Sequence, residues 1–154
     1  MTDATAVIIA WLSNPAHSFK EDGVTVSVQS LHQFIASRSP GAGYNVLDHI
    51  QGGLNLPVGY NVGTKGPFVL IDTMPGGVVP EHGRIWPVRV QVQTYGKTDG
   101  EAFDTASAVL DVLDGACGAY FTSISADGVP QVIRDDQTEW FIGLTFYTSQ
   151  IRSV

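Results

Sequence analysis

The sequence predicts an α+β fold: a mainly antiparallel β-sheet with two α-helices packed on one face. Three observations carry this. Residues near 3–12 and 99–114 repeat apolar side chains at three- and four-residue intervals, the helical period. Residues 85–95 and 138–148 alternate with the period of a strand. Helices and strands do not alternate strictly along the chain, which disfavours a parallel α/β sheet. At 154 residues, the expectation is a single domain spanning 1–154, long enough to bury a real core.

Taken in order, Ala4, Val7, Ile8, Trp11 and Leu12 form a helical stripe that Thr2 or Asp3 can cap and Pro15 ends. Ile9 and Ala10 widen the stripe, so this helix is expected to be covered on more than one side. Val24, Val26 and Val28 alternate with polar residues as a short half-buried strand, and Leu31 to Ile35 reads as a helical turn. Residues 41–83 hold 10 of the 17 glycines, so a Gly/Pro-rich loop region is expected over about 36–66. Phe68-Val69-Leu70-Ile71 is a continuous apolar run between Pro67 and Pro75, a buried strand, and Met74-Pro75-Gly76-Gly77 turns the chain.

In 85–95, Trp86, Val88, Val90 and Val92 point one way and Arg89, Gln91 and Gln93 the other. Pro87 lacks an amide donor, so this strand is expected to start at a sheet edge or bulge. Asp99 caps a helix through about Asp114 with Phe103, Ala106, Val109, Leu110 and Leu113 on one face, and Gly115 closes it. A short strand near 129–133 follows the Asp127-Gly128 turn. The last strand has Trp140, Ile142, Leu144 and Phe146 on one side and Phe141, Gly143, Thr145 and Tyr147 on the other. Both sides are apolar, so both want cover, and the helices can supply only one.

Composition narrows the function classes. Charged residues make up 15% of the chain, against about 25% in an average soluble domain. The formal net charge of −7 disfavours a protein that grips nucleic acid through phosphates. No apolar run reaches the ~18–20 residues of a membrane span, and Met-Thr-Asp lacks the basic start of a signal peptide. Cys117 is the single cysteine, so no intrachain disulfide can form and a reducing compartment fits.

Motifs with chemical overtones mostly dissolve on inspection. Gly96-Lys97-Thr98 joins a strand to a helix as a P-loop does, but Gln91 stands where the motif needs its earlier glycine. Without that glycine no amide nest forms, and the reading is a plain turn with a solvated lysine. Gly41-Ala42-Gly43 lacks the third glycine of a dinucleotide fingerprint, since position 46 is Val46. His17, His32, His49 and His82 show no metal-ligand spacing, and no nucleophile elbow surrounds a serine. No catalytic residue, metal ligand or cofactor site is therefore assigned. Residues 98–133 carry six acids and no lysine or arginine. Asp111 and Asp114 oppose the dipole at their helix's C-terminal end, so they read either as a plain solvated helix face or as candidates for a charge-bearing acidic surface.

Three stretches together resemble the tail terminator (tail completion) proteins of long-tailed bacteriophages. They are the helix Asp3-Ala4-Thr5-Ala6-Val7-Ile8-Ile9-Ala10-Trp11-Leu12, then Pro67 to Ile71 with the Gly76-Gly77 pair, then Val88 to Gly96 with its following helix and the closing strand Trp140 to Thr148. The likeness covers roughly 3–12 and 67–148 and is a pattern of element types. It implies a ring, typically a hexamer, at the head-proximal end of the tail tube, assembled in the host cytoplasm and carried in the virion. Such a ring ends tube polymerisation and presents the docking surface for the head. Its partners are further copies of itself, the tail tube protein and a head connector or completion protein, with no membrane. DNA passes through the channel without specific binding, and an acidic lumen repels its phosphates. The family carries no catalytic residues. The residues by themselves also admit another head–tail neck or adaptor ring, or a small-ligand or enzymatic α+β domain.

Two surfaces are the interface candidates. The connection 74–86 carries Met74, Val78, Val79 and His82, more apolar than a solvated hairpin needs. Phe141 and Tyr147 lie on the side of the closing strand expected to lack helical cover.

Overall fold

The computed structural model describes residues 4–21, 23–39, 44–75, 85–117 and 121–152. The chain runs α1 (Ala4–Ser13), β1 (Ser18–Glu21), β2 (Val24–Ser27), α2 (Val28–Ser37), a 3-10 turn (Val46–Asp48), β3 (Ile50–Gly52) and α3 (Val62–Lys65). It continues with β4 (Phe68–Pro75), β5 (Ile85–Gly96), α4 (Asp99–Leu113), β6 (Phe121–Ala126), β7 (Gln131–Arg134) and β8 (Phe141–Arg152). The fold is α+β, as the periodicities predict.

β1 and β2 form a small hairpin, and the other six strands form one sheet in the order β3-β4-β5-β8-β6, with β7 also on β8. All pairings in that sheet are antiparallel except β3 with β4. β6 and β7 follow one another along the same side of β8, so they act as one outer strand interrupted at 127–130. The amide of Asp127 bonds the Phe146 carbonyl at 2.9 Å across that interruption.

The register assigns the two faces. Val69 and Ile71 of β4, Val90 and Val92 of β5, Ile124 of β6 and Tyr147 and Ile151 of β8 share one face with the buried residues of α1, α2 and α4. Three helices, not two, therefore pack on that face. The additional one is α2, where only a turn was expected. Val28, Leu31, His32 and Ile35 fall on its buried stripe, but Val28 also continues the alternation of β2, so the change of period is hidden there.

The closing strand presents the opposite side to the helices from the one expected. Gly143, Thr145, Tyr147 and Ser149 lie beneath α4, while Ile142, Leu144 and Phe146 face away. Clearance decides this. A Cβ at Gly143 would stand 2.7 Å from the Ala102 carbonyl oxygen and 2.9 Å from the Ala106 Cβ. Only a side without bulk at 143 lets the helix sit so close, and the Thr94 hydroxyl bridges the junction by donating towards the carbonyls of Ala102 (3.0 Å) and Gly143 (3.2 Å).

α4 itself departs from its expected face in one respect. Phe103 is exposed, and Ala102, Thr105, Ala106, Val109, Val112 and Leu113 form the buried stripe. Thr98, not Asp99, is its N-cap, accepting from the Glu101 amide at 3.1 Å, and Gly115 closes the C-terminal end with φ +85°. The region 36–66 holds structure as well as loop: the end of α2, the 3-10 turn, β3 and α3. Val62 of α3 with Leu56, Tyr60 and Trp140 covers Phe68, Leu70, Tyr95 and Ile142, a second, smaller core on the far face of the sheet. Pro87 lies in a strand with neighbours on both sides, but the described pairing with β4 begins only at Val88, which spares the missing donor on that side. Among the described residues no helix is long and apolar enough to cross a membrane.

Candidate functional site

The turn from β5 into α4 shows why its Gly-Lys-Thr is structural. The Lys97 amide is bonded by the Glu101 carboxylate at 2.8 Å, the Glu101 amide by the Thr98 hydroxyl, and the Gly100 amide by Asp99 at 2.8 Å. The donors a phosphate would use are already engaged by side chains of the turn. An open groove of about 600 Å³ lies beside it, lined by Ser37, Arg38, Ser39, Lys97, Thr98 and three further residues including the carboxylates Glu101 and Asp104. Its two cations face two anions, so it offers no net attraction for a phosphate group.

The histidines serve backbone carbonyls. His17 Nδ1 donates to the Trp11 carbonyl at 2.8 Å, which also accepts the Asn14 amide at 3.3 Å, and His32 Nε2 donates to the Leu12 carbonyl at the end of α1. His49 Nδ1 donates to Pro67 O at 2.9 Å, with the Tyr60 oxygen at 3.2 Å, while the Tyr60 hydroxyl donates to Gly66 O. His32, Tyr44, His49, Tyr60 and Phe68 thus make a continuous row of ring contacts joining the two cores. Burial pushes the Tyr44 hydroxyl up to about 12. The Tyr60 hydroxyl is raised first by burial and then by the carboxylates of Asp48 and Glu101. Among the described residues no group of His, Cys, Asp and Glu has the arrangement of a metal site.

What remains is surface. Among the described residues, the face away from α1, α2 and α4 is covered towards the Phe68–Tyr95–Ile142 end, by α3 and its neighbours. Its other half presents Asp72 and Met74 of β4, Arg89 and Gln91 of β5 and Leu144 and Phe146 of β8, with the Arg89 guanidinium 4.7 Å above the Phe146 ring. These residues are half-buried or exposed. The outer edge adds Val129 and Ile133, 77% and 51% exposed.

The expected interface residues divide accordingly. Met74 lies half-buried on the open face. Val78, Val79 and His82 lie outside the described residues. Phe141 starts β8 half-buried, paired with Arg134 and Gly96, and alternation puts it on the α4 side with Gly143 and Tyr147, not on the side without α4 where it was expected. Tyr147 belongs to the core at 0% exposure, under the helices, because the strand faces the other way, so it is no surface residue. Asp111 is exposed, whereas Asp114 is half-buried and accepts the Ala126 amide at 2.9 Å, so its place at the end of α4 is explained by anchoring β6. Leu144 and Phe146 of the open face and Ile133 at the edge were missed as surface candidates. The adjacent Val132 and Ile133, which a strand must point to opposite faces, were the signal for the last of these.

Neither the protein-family models nor the curated proteins compared with the chain give a match.

Proposed function

We propose that the protein is a structural component of a phage tail, forming a terminator ring at the head-proximal end of the tail tube. The observation that carries this reading is the unevenly covered sheet: among the described residues, α1, α2 and α4 bury one face, while on half of the other Met74, Leu144 and Phe146 stay half-buried and Arg89 exposed. A sheet half-covered on one side suits a subunit completed by neighbours. The order of elements, with a helix between long antiparallel strands, supports the same reading. In this reading the protein performs no catalysis. It binds the last ring of tube subunits and offers the next subunit no copy of the tube's own contact surface, so growth stops, and the head's connector docks instead. The net charge of −7 favours passage of DNA over retention, because phosphates are repelled.

Removing the protein from assembling particles tests this. Overlong tails without heads are expected in negative-stain images, and light scattering of the purified protein should show a ring. Normal tails joined to heads would overturn the reading.

A further inference from the structure

β7 pairs with β8, and among the described residues no strand lies on its other side. Just beyond β7, the Asp135 amide donates to the Trp140 carbonyl at 2.8 Å, which makes 135 and 140 a hydrogen-bonded pair at the end of this ladder. Such pairs alternate along an antiparallel ladder. Gln131 and Ile133 therefore bond β8, while the N–H and C=O groups of Val132 and Arg134 point out of the sheet. The side chains beside these groups are apolar on both faces. Val132 pairs with Gly143 and so lies on the α4 side, half-buried, whereas Ile133 pairs with Ile142 on the far face and is 51% exposed. Val129, just before the strand, is 77% exposed. Outward backbone groups flanked by accessible apolar side chains are what an added strand uses.

The charge around this edge is one-sided. Residues 127–139 hold Asp127, Asp135, Asp136 and Glu139 against Arg134 alone. Asp127 accepts the Thr148 hydroxyl and Asp135 the Thr138 hydroxyl, both neutral donors, so these bonds leave the negative charge in place. Asp136 and Glu139 are exposed. Lys97 follows Gly96, two strands across the register from Arg134, and Asp99 stands close after it in the chain.

We propose that β7 is a docking edge for an extended, basic segment of a partner protein, which joins the sheet as a further strand. Its backbone bonds Val132 and Arg134, and its alternate side chains settle beside Val132 on one face and Ile133 on the other. Lysines or arginines at its two ends meet Asp127 at one end of β7 and the carboxylates of 135–139 at the other. The inference is independent of the ring reading, and its failure leaves that reading as it stands.

The probe is a short synthetic peptide of alternating threonine and valine with lysines at both ends, and its counterpart carries glutamates there. Amide hydrogen exchange, read residue by residue by NMR on the full chain, locates the contact. The amides of Val132 and Arg134 are expected to exchange fast in the free chain and to slow several-fold with the lysine peptide. Those of Gln131 and Ile133 should change little, because β8 already holds them. The glutamate peptide should bind several-fold more weakly, with the difference shrinking as salt rises. Asp136→Lys with Glu139→Lys, at exposed positions, should reverse that preference without moving the melting midpoint. Ile133→Ser, an independent variant, should weaken the lysine peptide several-fold. Binding of neither peptide, equal binding of both, protection away from β7, or indifference to Ile133→Ser would each overturn the proposal. Outward amides already protected in the free chain would overturn it too. Protection that grows with protein concentration and with mass in light scattering would make the occupant a second copy, and protection independent of concentration would mean that the chain closes its own edge.

Discussion

Gly143 lies directly beneath Ala106, so close that a Cβ added to the glycine would stand 2.9 Å from the Ala106 Cβ and 2.7 Å from the Ala102 carbonyl. Helix α4 reaches the sheet at this point because β8 offers no side chain there. Gly143→Ala is therefore expected to overpack the junction. A loss of about 2 kcal/mol follows from the usual cost of one methyl too many, with a melting midpoint lower by about 4–8 °C. An unchanged midpoint would mean that α4 can shift outward without cost.

His32 holds the end of α1 from a distance of twenty residues along the chain, donating from Nε2 to the Leu12 carbonyl in a buried setting. His32→Leu keeps most of the volume and removes the donor. The orphaned carbonyl should cost about 1–3 kcal/mol in urea unfolding. No loss would show that water or another donor replaces the imidazole.

Asp111 and Asp114 look alike in the sequence but differ in the fold. Asp114→Asn retains an acceptor for the Ala126 amide and is expected to be close to neutral, whereas Asp114→Ala should cost about 1 kcal/mol. Asp111 is exposed, and Asp111→Asn should leave unfolding unchanged. Equal effects of Asp114→Asn and Asp114→Ala would point to charge instead of hydrogen bonding.

Alkaline pH should unfold the protein through its tyrosines. Burial raises the Tyr44 hydroxyl from 10.0 to about 12, and the hydroxyls of Tyr60, Tyr95 and Tyr147 are raised as well. A group whose folded value is raised contributes stability below its unfolded value and loses it as pH climbs towards the folded one. Stability from Tyr44 should therefore hold up to about pH 10 and fall between 10 and 12. Urea midpoints measured across that range check this, and a flat profile would show that these hydroxyls titrate freely in the folded state.

The buried hydroxyl of Ser149 has no hydrogen-bond partner among the described residues. Replacing it with a methyl group's hydrogen removes an unpaired polar atom, so Ser149→Ala should be neutral or stabilising by up to about 1 kcal/mol. A clear loss of stability would reveal a bound water at that point.

Local period and punctuation made the long elements legible in the sequence. The alternation of Val88, Val90 and Val92, the stripe of Ala106, Val109 and Leu113, and the closing Gly115 each report on neighbours along the chain. α2 escaped because Val28 satisfies two periods at once and its buried stripe includes a histidine. Its role depends on Leu12, which the chain brings back only in three dimensions. Tyr147 was misplaced because both sides of β8 read as apolar. Of the candidate surface, Met74 was legible as an apolar residue beside a turn, while the Arg89–Phe146 stack required the register between β5 and β8.

Charge balance, helical and strand periods, and the α+β class were determined by the sequence alone, since each depends on composition or on residues within a turn or two of one another. Which side of β8 meets α4 was decided only by the tertiary structure. Both sides there carry aromatic and apolar residues, and steric clearance at Gly143, felt only when Ala102 and Ala106 arrive from another element, selects the side with the smaller residues.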